Sequence, residues 1–96
     1  MIKYNQIKKQ HIVKGVIIMK NWLVKIAHKP LGAKRWTVLE EHYYSDGVQA
    51  WEFFYDTVRD YQIVHRKGLS LIQISKDMSD GFNTDWVIHG SELFNY

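Results

Sequence analysis

Apolar and polar residues alternate from Trp22 to Lys29 (WLVKIAHK). Trp22, Val24, Ile26 and His28 share one face, and Leu23, Lys25, Ala27 and Lys29 share the other, a pattern that predicts a half-buried β-strand. Pro30-Leu31-Gly32 interrupts it with turn chemistry. Arg35 to Tyr44 (RWTVLEEHYY) is rich in β-branched and aromatic residues and reads as a second strand. The short connection makes the two an antiparallel hairpin. Ser45 is the expected N-cap of a following helix, with Asp46 complementing the dipole in its first turn. From Val48 to about Tyr61 the apolar period becomes helical. At about 100° per residue, Val48, Ala50, Trp51, Phe54, Tyr55, Val58 and Tyr61 fall in an arc of about 160°, expected to lie on the sheet. Gln49, Glu52, Asp56 and Asp60 occupy the opposite face, and Phe53 falls among them. Gln62 to Lys67 fits either a helix extension or a loop. After Gly68, Leu69 to Lys76 (LSLIQISK) reads as a third strand, Asp80-Gly81 as a turn, and Asp85 to His89 (DWVIH) as a fourth strand. His89-Gly90-Ser91 is expected to end it and leave a short tail carrying Leu93, Phe94 and Tyr96.

The order is therefore ββαββ: a two-layer α+β domain, with one helix packed on a four-stranded antiparallel sheet. Ile12, Val13, Val16, Ile17 and Ile18 have good β-propensity and would supply an extra N-terminal strand.

Composition agrees with a single small domain of 96 residues. An apolar share of 46%, with aromatics at 15%, gives material for a core, and 24% charged residues fit a folded chain rather than a disordered one. The absence of cysteine excludes disulfides and thiolate metal ligands and suits a cytoplasmic protein of a bacterial host cell. No apolar run approaches the roughly 20 residues of a membrane span. His11 and Lys14 break the only leader-like stretch, and no small-residue cleavage site follows.

The net charge of +3 invites a nucleic-acid reading until the chain is divided at Met19. Residues 1–18 hold four lysines (Lys3, Lys8, Lys9, Lys14) and no acid, whereas residues 19–96 hold nine Lys and Arg against ten Asp and Glu. The basic excess lies wholly in the leader. Lys14-Gly15-Val16 can be encoded as AAA-GGA-GTN, which contains a ribosome-binding AAGGAG at a usual initiation spacing before the Met19 codon. The expectation is that residues 1–18 are translated upstream sequence and that the domain comprises residues 19–96. An ordinary N-terminal strand is the alternative.

Motifs for chemistry are scarce. With a turn centred near Gly32, His28 falls opposite Trp36 and His42 opposite Trp22, about 20 Å apart at a strand rise of about 3.3 Å per residue. They cannot share a metal in that register. His11 lies in the leader, and His65 and His89 lack a local ligand partner, so neither a metal site nor another cofactor is expected. The Asp77–Asp85 segment fails as a calcium loop: with Gly81 at the sixth position, Lys76 and Met78 fall at the first and third. Glu40 and Glu41 point to opposite faces of a strand, and no phosphate loop or nucleophile elbow is present. The reading is a non-enzymatic protein.

Two surfaces remain. Glu52, Asp56 and Asp60, at i, i+4 and i+8, form one acidic row with Phe53 beside it. Like charges so spaced cost about 0.2–0.5 kcal/mol per pair. This row could dock on a basic nucleic-acid groove of another protein. The alternative is a nucleic-acid-binding domain using Lys29, Lys34, Arg35 and Trp36 around the first hairpin, with Lys25 nearby and Arg66-Lys67 as a second small cluster. Its weakness is the near-neutral charge of residues 19–96. Self-association through a sheet edge, giving a homodimer, is a third reading.

Residues 19–96 as a whole resemble the small phage and prophage accessory proteins of the anti-CRISPR, counter-defence type: a short, aromatic-rich, cysteine-free α+β domain with an acidic helix and an internal start codon. That group has no shared motif, so no residue role is carried over. The resemblance implies only a class, an inhibitor that binds a host nuclease protein or ribonucleoprotein complex by surface complementarity and occupies its nucleic-acid site.

Overall fold

The computed structural model of the chain describes residues 10–13, 16–64, 66–79 and 85–96. The element order is β1 (Gln10–Val13), β2 (Val16–Met19), β3 (Trp22–Pro30), β4 (Thr37–Tyr44), α1 (Gly47–Ile63), β5 (Gly68–Asp77) and β6 (Trp86–Asn95). β3 to β6 form a four-stranded antiparallel sheet in the order β4-β3-β5-β6, with α1 on one face. This is the two-layer α+β architecture that the ββαββ pattern predicts. The segment expected to add one strand instead forms two, β1 and β2, which pair with each other in a separate two-stranded ladder.

The central strands β3 and β5 supply Val24, Ile26, Ile72 and Ile74, all buried, and α1 lays Ala50 and Phe54 on them. Trp22, Tyr44, Trp51, Phe53, Val58, Tyr61 and Phe94 surround this core. Burying each large side chain of this kind contributes about 1.5–3 kcal/mol.

The buried arc of α1 has the expected width but a different centre. It runs from Phe53 through Thr57, Ala50, Tyr61 and Phe54 to Val58 and Trp51, rotated by about 60° from the sequence-derived arc at 100° per residue. Val48 and Tyr55, expected on the sheet, are 67% and 60% exposed. Thr57 is what hides this rotation: it is buried because its hydroxyl donates to the Phe53 carbonyl at 2.7 Å, which satisfies the polar group without water.

Three further boundaries differ from expectation, and one left open is settled. The N-cap is Asp46, not Ser45; its carboxylate accepts from the Val48 N–H at 2.9 Å. The Gln62–Lys67 ambiguity resolves as helix to Ile63, after which the Val64 N–H still reaches the Asp60 carbonyl at 3.0 Å. β6 does not stop at His89-Gly90-Ser91 but runs through the expected tail, with a register shift opposite Ile74/Ser75. Gly90 serves there as clearance rather than punctuation: a Cβ on it would lie 3.0 Å from Ile74 Cγ2 and 3.1 Å from Trp51 Cη2. The tail then clamps the end of α1, with Tyr96 Oη donating to the Tyr61 carbonyl at 2.7 Å and the Phe94 ring 6.0 Å from that of Tyr61. Finally, the first hairpin has a longer turn than expected and a bulge near Leu39, so His28 pairs with Thr37 and His42 with Val24. The Asp80-Gly81 turn lies outside the described residues, as does His65.

Among the described residues no helix covers the second face of the sheet. Leu23, Ala27 and Ser75 are buried on it, where the rings of Tyr43 and Trp86 meet edge-on at 6.2 Å across the central strands. Val38, Ile88 and Leu93 remain about half-exposed. Among the described residues no helix is long and apolar enough to cross a membrane.

Candidate functional site

α1 is held by its cap at one end and by Tyr61, Phe94 and Tyr96 at the other, so its outward face is rigidly presented. Glu52, Asp56 and Asp60 all lie on that face and are exposed. Successive carboxylates rise about 6 Å along the helix axis at 1.5 Å per residue. Asp56 accepts a hydrogen bond from Arg59 Nη2, in an exposed i,i+3 pair that offsets part of the row's self-repulsion.

Phe53 borders this row in helix rotation, about 20° from Asp60, but on its buried side. It is half-buried, with its ring 4.4 Å from that of His42 and 6.0 Å from that of Tyr44. Its role is to seat α1 against β4. The rotation of the helix places other apolar groups beside the carboxylates. Val48 and Tyr55 lie on one flank of the row, and Ile63, 72% exposed, lies in line with it at the end of the helix. Exposed apolar side chains thus stand beside the acids on one surface. The sequence pattern assigns Val48 and Tyr55 to the core, so only a register signal could have released them. Thr57 was the available one, and a threonine alone does not announce that it is buried.

The second candidate set, Lys29, Lys34, Arg35 and Trp36, gathers at the β3–β4 turn. Lys34 and Arg35 are exposed, Lys29 is half-buried, and Trp36 is 41% exposed.

Among the described side chains, the histidines do not converge. His28 Nδ1 is 3.0 Å from Ser70 Oγ, and His42 Nε2 is 2.7 Å from Glu40 Oε1. By the observed register they stand about 13 Å apart along the strands, closer than the expected 20 Å but still too far to share a metal. His89 stacks obliquely on Trp22 at 5.5 Å. Among the described residues no group of three or more His, Asp or Glu is placed to hold a metal ion.

Two phenols are perturbed. Burial, then the charge of Glu41 and its acceptance of a 3.3 Å hydrogen bond from the hydroxyl, pushes Tyr43 above its ordinary value of 10.0. Burial alone raises Tyr44. Both are structural consequences of packing at the β4 end of the sheet.

In comparison with known proteins, no family model matches the chain, and no curated protein or solved structure matches it either.

Proposed function

We propose that the domain is a non-enzymatic protein-binding module whose working surface is the outer face of α1. The observation that carries this reading is the set Glu52, Asp56 and Asp60 beside exposed Val48, Tyr55 and Ile63 on a helix fixed at both ends. A row of carboxylates costs stability through self-repulsion unless a cationic partner meets it. The complementary partner is a basic groove, and basic grooves are characteristic of proteins that handle nucleic acid. Together with the resemblance of residues 19–96 to counter-defence accessory proteins, this favours an inhibitor that occupies the nucleic-acid site of a host nuclease complex. Tyr55 is the anchor, since tyrosine supplies a large apolar area and a hydrogen-bonding tip.

The test is paired affinity capture from the source cell with the wild-type chain and the Asp56→Lys/Asp60→Lys variant, with nucleic acid then added as competitor. The expected result is a nuclease-type partner that the wild type retains, the variant loses, and added DNA or RNA displaces. Retention of the partner by a folded variant would contradict the assignment of this face.

A further inference from the structure

β3 ends in a turn whose geometry is tightly set. The Ala33 N–H donates to the Pro30 carbonyl at 2.9 Å, and Gly32 sits in the left-handed region at φ 85°. Gly68 begins β5 directly opposite Pro30, at φ 117°. A Cβ at Gly68 would lie 2.3 Å from the Lys29 carbonyl oxygen and 2.9 Å from the Leu31 nitrogen, so only glycine permits this approach. As a result Arg66 and Lys67, which immediately precede Gly68, enter the sheet alongside the turn that carries Lys34 and Arg35. Two basic clusters far apart in sequence become one end of the molecule.

That end holds Lys29, Lys34, Arg35, Arg66 and Lys67, five of the nine Lys and Arg in residues 19–96. No Asp or Glu occurs in residues 29–36, 66–72 or 93–96. Asp46, Asp77 and Asp85 lie at the opposite end of the sheet, Glu40, Glu41 and Glu92 stand mid-strand, and of the row along α1 only Asp60, beside Tyr61 in the last turns of the helix, approaches this end. Near-neutral net charge thus conceals a separation of charge, and a ligand responds to the local field, not to the sum. Between the two segments lies an open hollow of about 260 Å³, lined by Lys29, Leu31, Gly32, Gly68, Leu69 and Asn95 among others. Leu31 is 76% exposed and Trp36, which leads from this turn into β4, is 41% exposed.

We infer that this end binds the backbone of single-stranded nucleic acid, with the five cations on phosphates and Trp36 and Leu31 against unpaired bases. Lys29 and Leu31 line the hollow, and the segments that line it lead directly into Lys34, Arg35 and Trp36 on one side and out of Arg66 and Lys67 on the other, a mixture of cations with apolar and aromatic surface that matches a strand with exposed base faces. A flat anionic membrane would leave the hollow unfilled. The surface is distinct from the outer face of α1 and does not depend on what that face binds.

The experiment is fluorescence anisotropy of the full-length chain with short labelled oligo-dT and oligo-U, titrated against salt. Each phosphate contact contributes about −0.7 to the slope of log affinity against log salt for a single strand. Lys34→Ala/Arg35→Ala and Arg66→Ala/Lys67→Ala should each flatten the slope by about 1.4. Trp36→Ala should weaken binding roughly tenfold at every salt concentration and leave the slope unchanged. Circular dichroism verifies that each variant is folded. Lys8→Ala/Lys9→Ala, in the basic leader, is the control and should leave the effects of the other variants intact. Absence of binding at low salt would overturn the inference. So would slopes that respond only to the leader substitutions, or association with anionic vesicles but not with the oligonucleotides.

Discussion

Replacing Phe53 and Tyr55 separately by alanine tests the rotation of α1, because sequence pattern and structure assign the two residues opposite roles. Phe53 is half-buried against His42 and Tyr44, with ring centroids at 4.4 Å and 6.0 Å. A fully buried Phe→Ala change costs about 3–5 kcal/mol, so half that burial corresponds to about 1.5–2.5 kcal/mol. Tyr55 is 60% exposed and touches Trp51 and Phe54 only at its ring, so Tyr55→Ala should cost no more than about 1 kcal/mol. Phenylalanine and tyrosine have nearly equal helix propensities, so that contribution cancels between the two variants. Urea unfolding followed by tryptophan fluorescence reads the difference. With an m-value near 1 kcal/mol/M, Phe53→Ala should lower the midpoint by about 1.5–2.5 M and Tyr55→Ala by less than about 1 M, at unchanged m. The reverse order would refute the rotation, and with it the placement of Tyr55 on the docking face.

Three further outcomes are expected. Asp46→Ala should destabilise the fold by about 1 kcal/mol and Ser45→Ala by a few tenths at most, measured by the same unfolding assay; equal effects would return the cap to Ser45. Gly90→Val should cost about 1–3 kcal/mol through collision with Ile74 and Trp51, which thermal unfolding would detect; a neutral result would contradict the close approach of α1 to β6. The phenols of Tyr43 and Tyr44 are raised above 10.0, so the fold binds their protons more tightly than the unfolded chain does. Their contribution is therefore fully present below about pH 10 and is lost as pH rises through the folded values. Stability should fall above pH 10, and Tyr43→Phe should fall less steeply, in urea titrations across that range.

What the sequence disclosed follows from where its signals are local. β3 and β5 are legible because strict alternation places Val24, Ile26, Ile72 and Ile74 on one face. α1 is legible in extent but not in rotation, because a buried threonine satisfied by the Phe53 carbonyl looks polar in one dimension. The sequence pattern ends β6 too early because Gly90 reads as a terminator, when its lack of a side chain makes room for Trp51. The acidic row was visible from its i, i+4, i+8 spacing. Its apolar neighbours were not, since they depend on the rotation. The basic end was visible only as two fragments. Joining them required the Pro30–Gly68 pairing, a tertiary contact that no local pattern encodes.

The proposed function requires that partners meet the outer face of α1. Site-specific photo-crosslinking from position 55 on that face, compared with position 88 on the open face of the sheet, tests it directly, since Tyr55 and Ile88 are exposed to similar degrees, 60% and 53%. In the source cell, covalent capture of a nuclease-type partner is expected from position 55 and none from position 88. Capture from position 88 alone would contradict it.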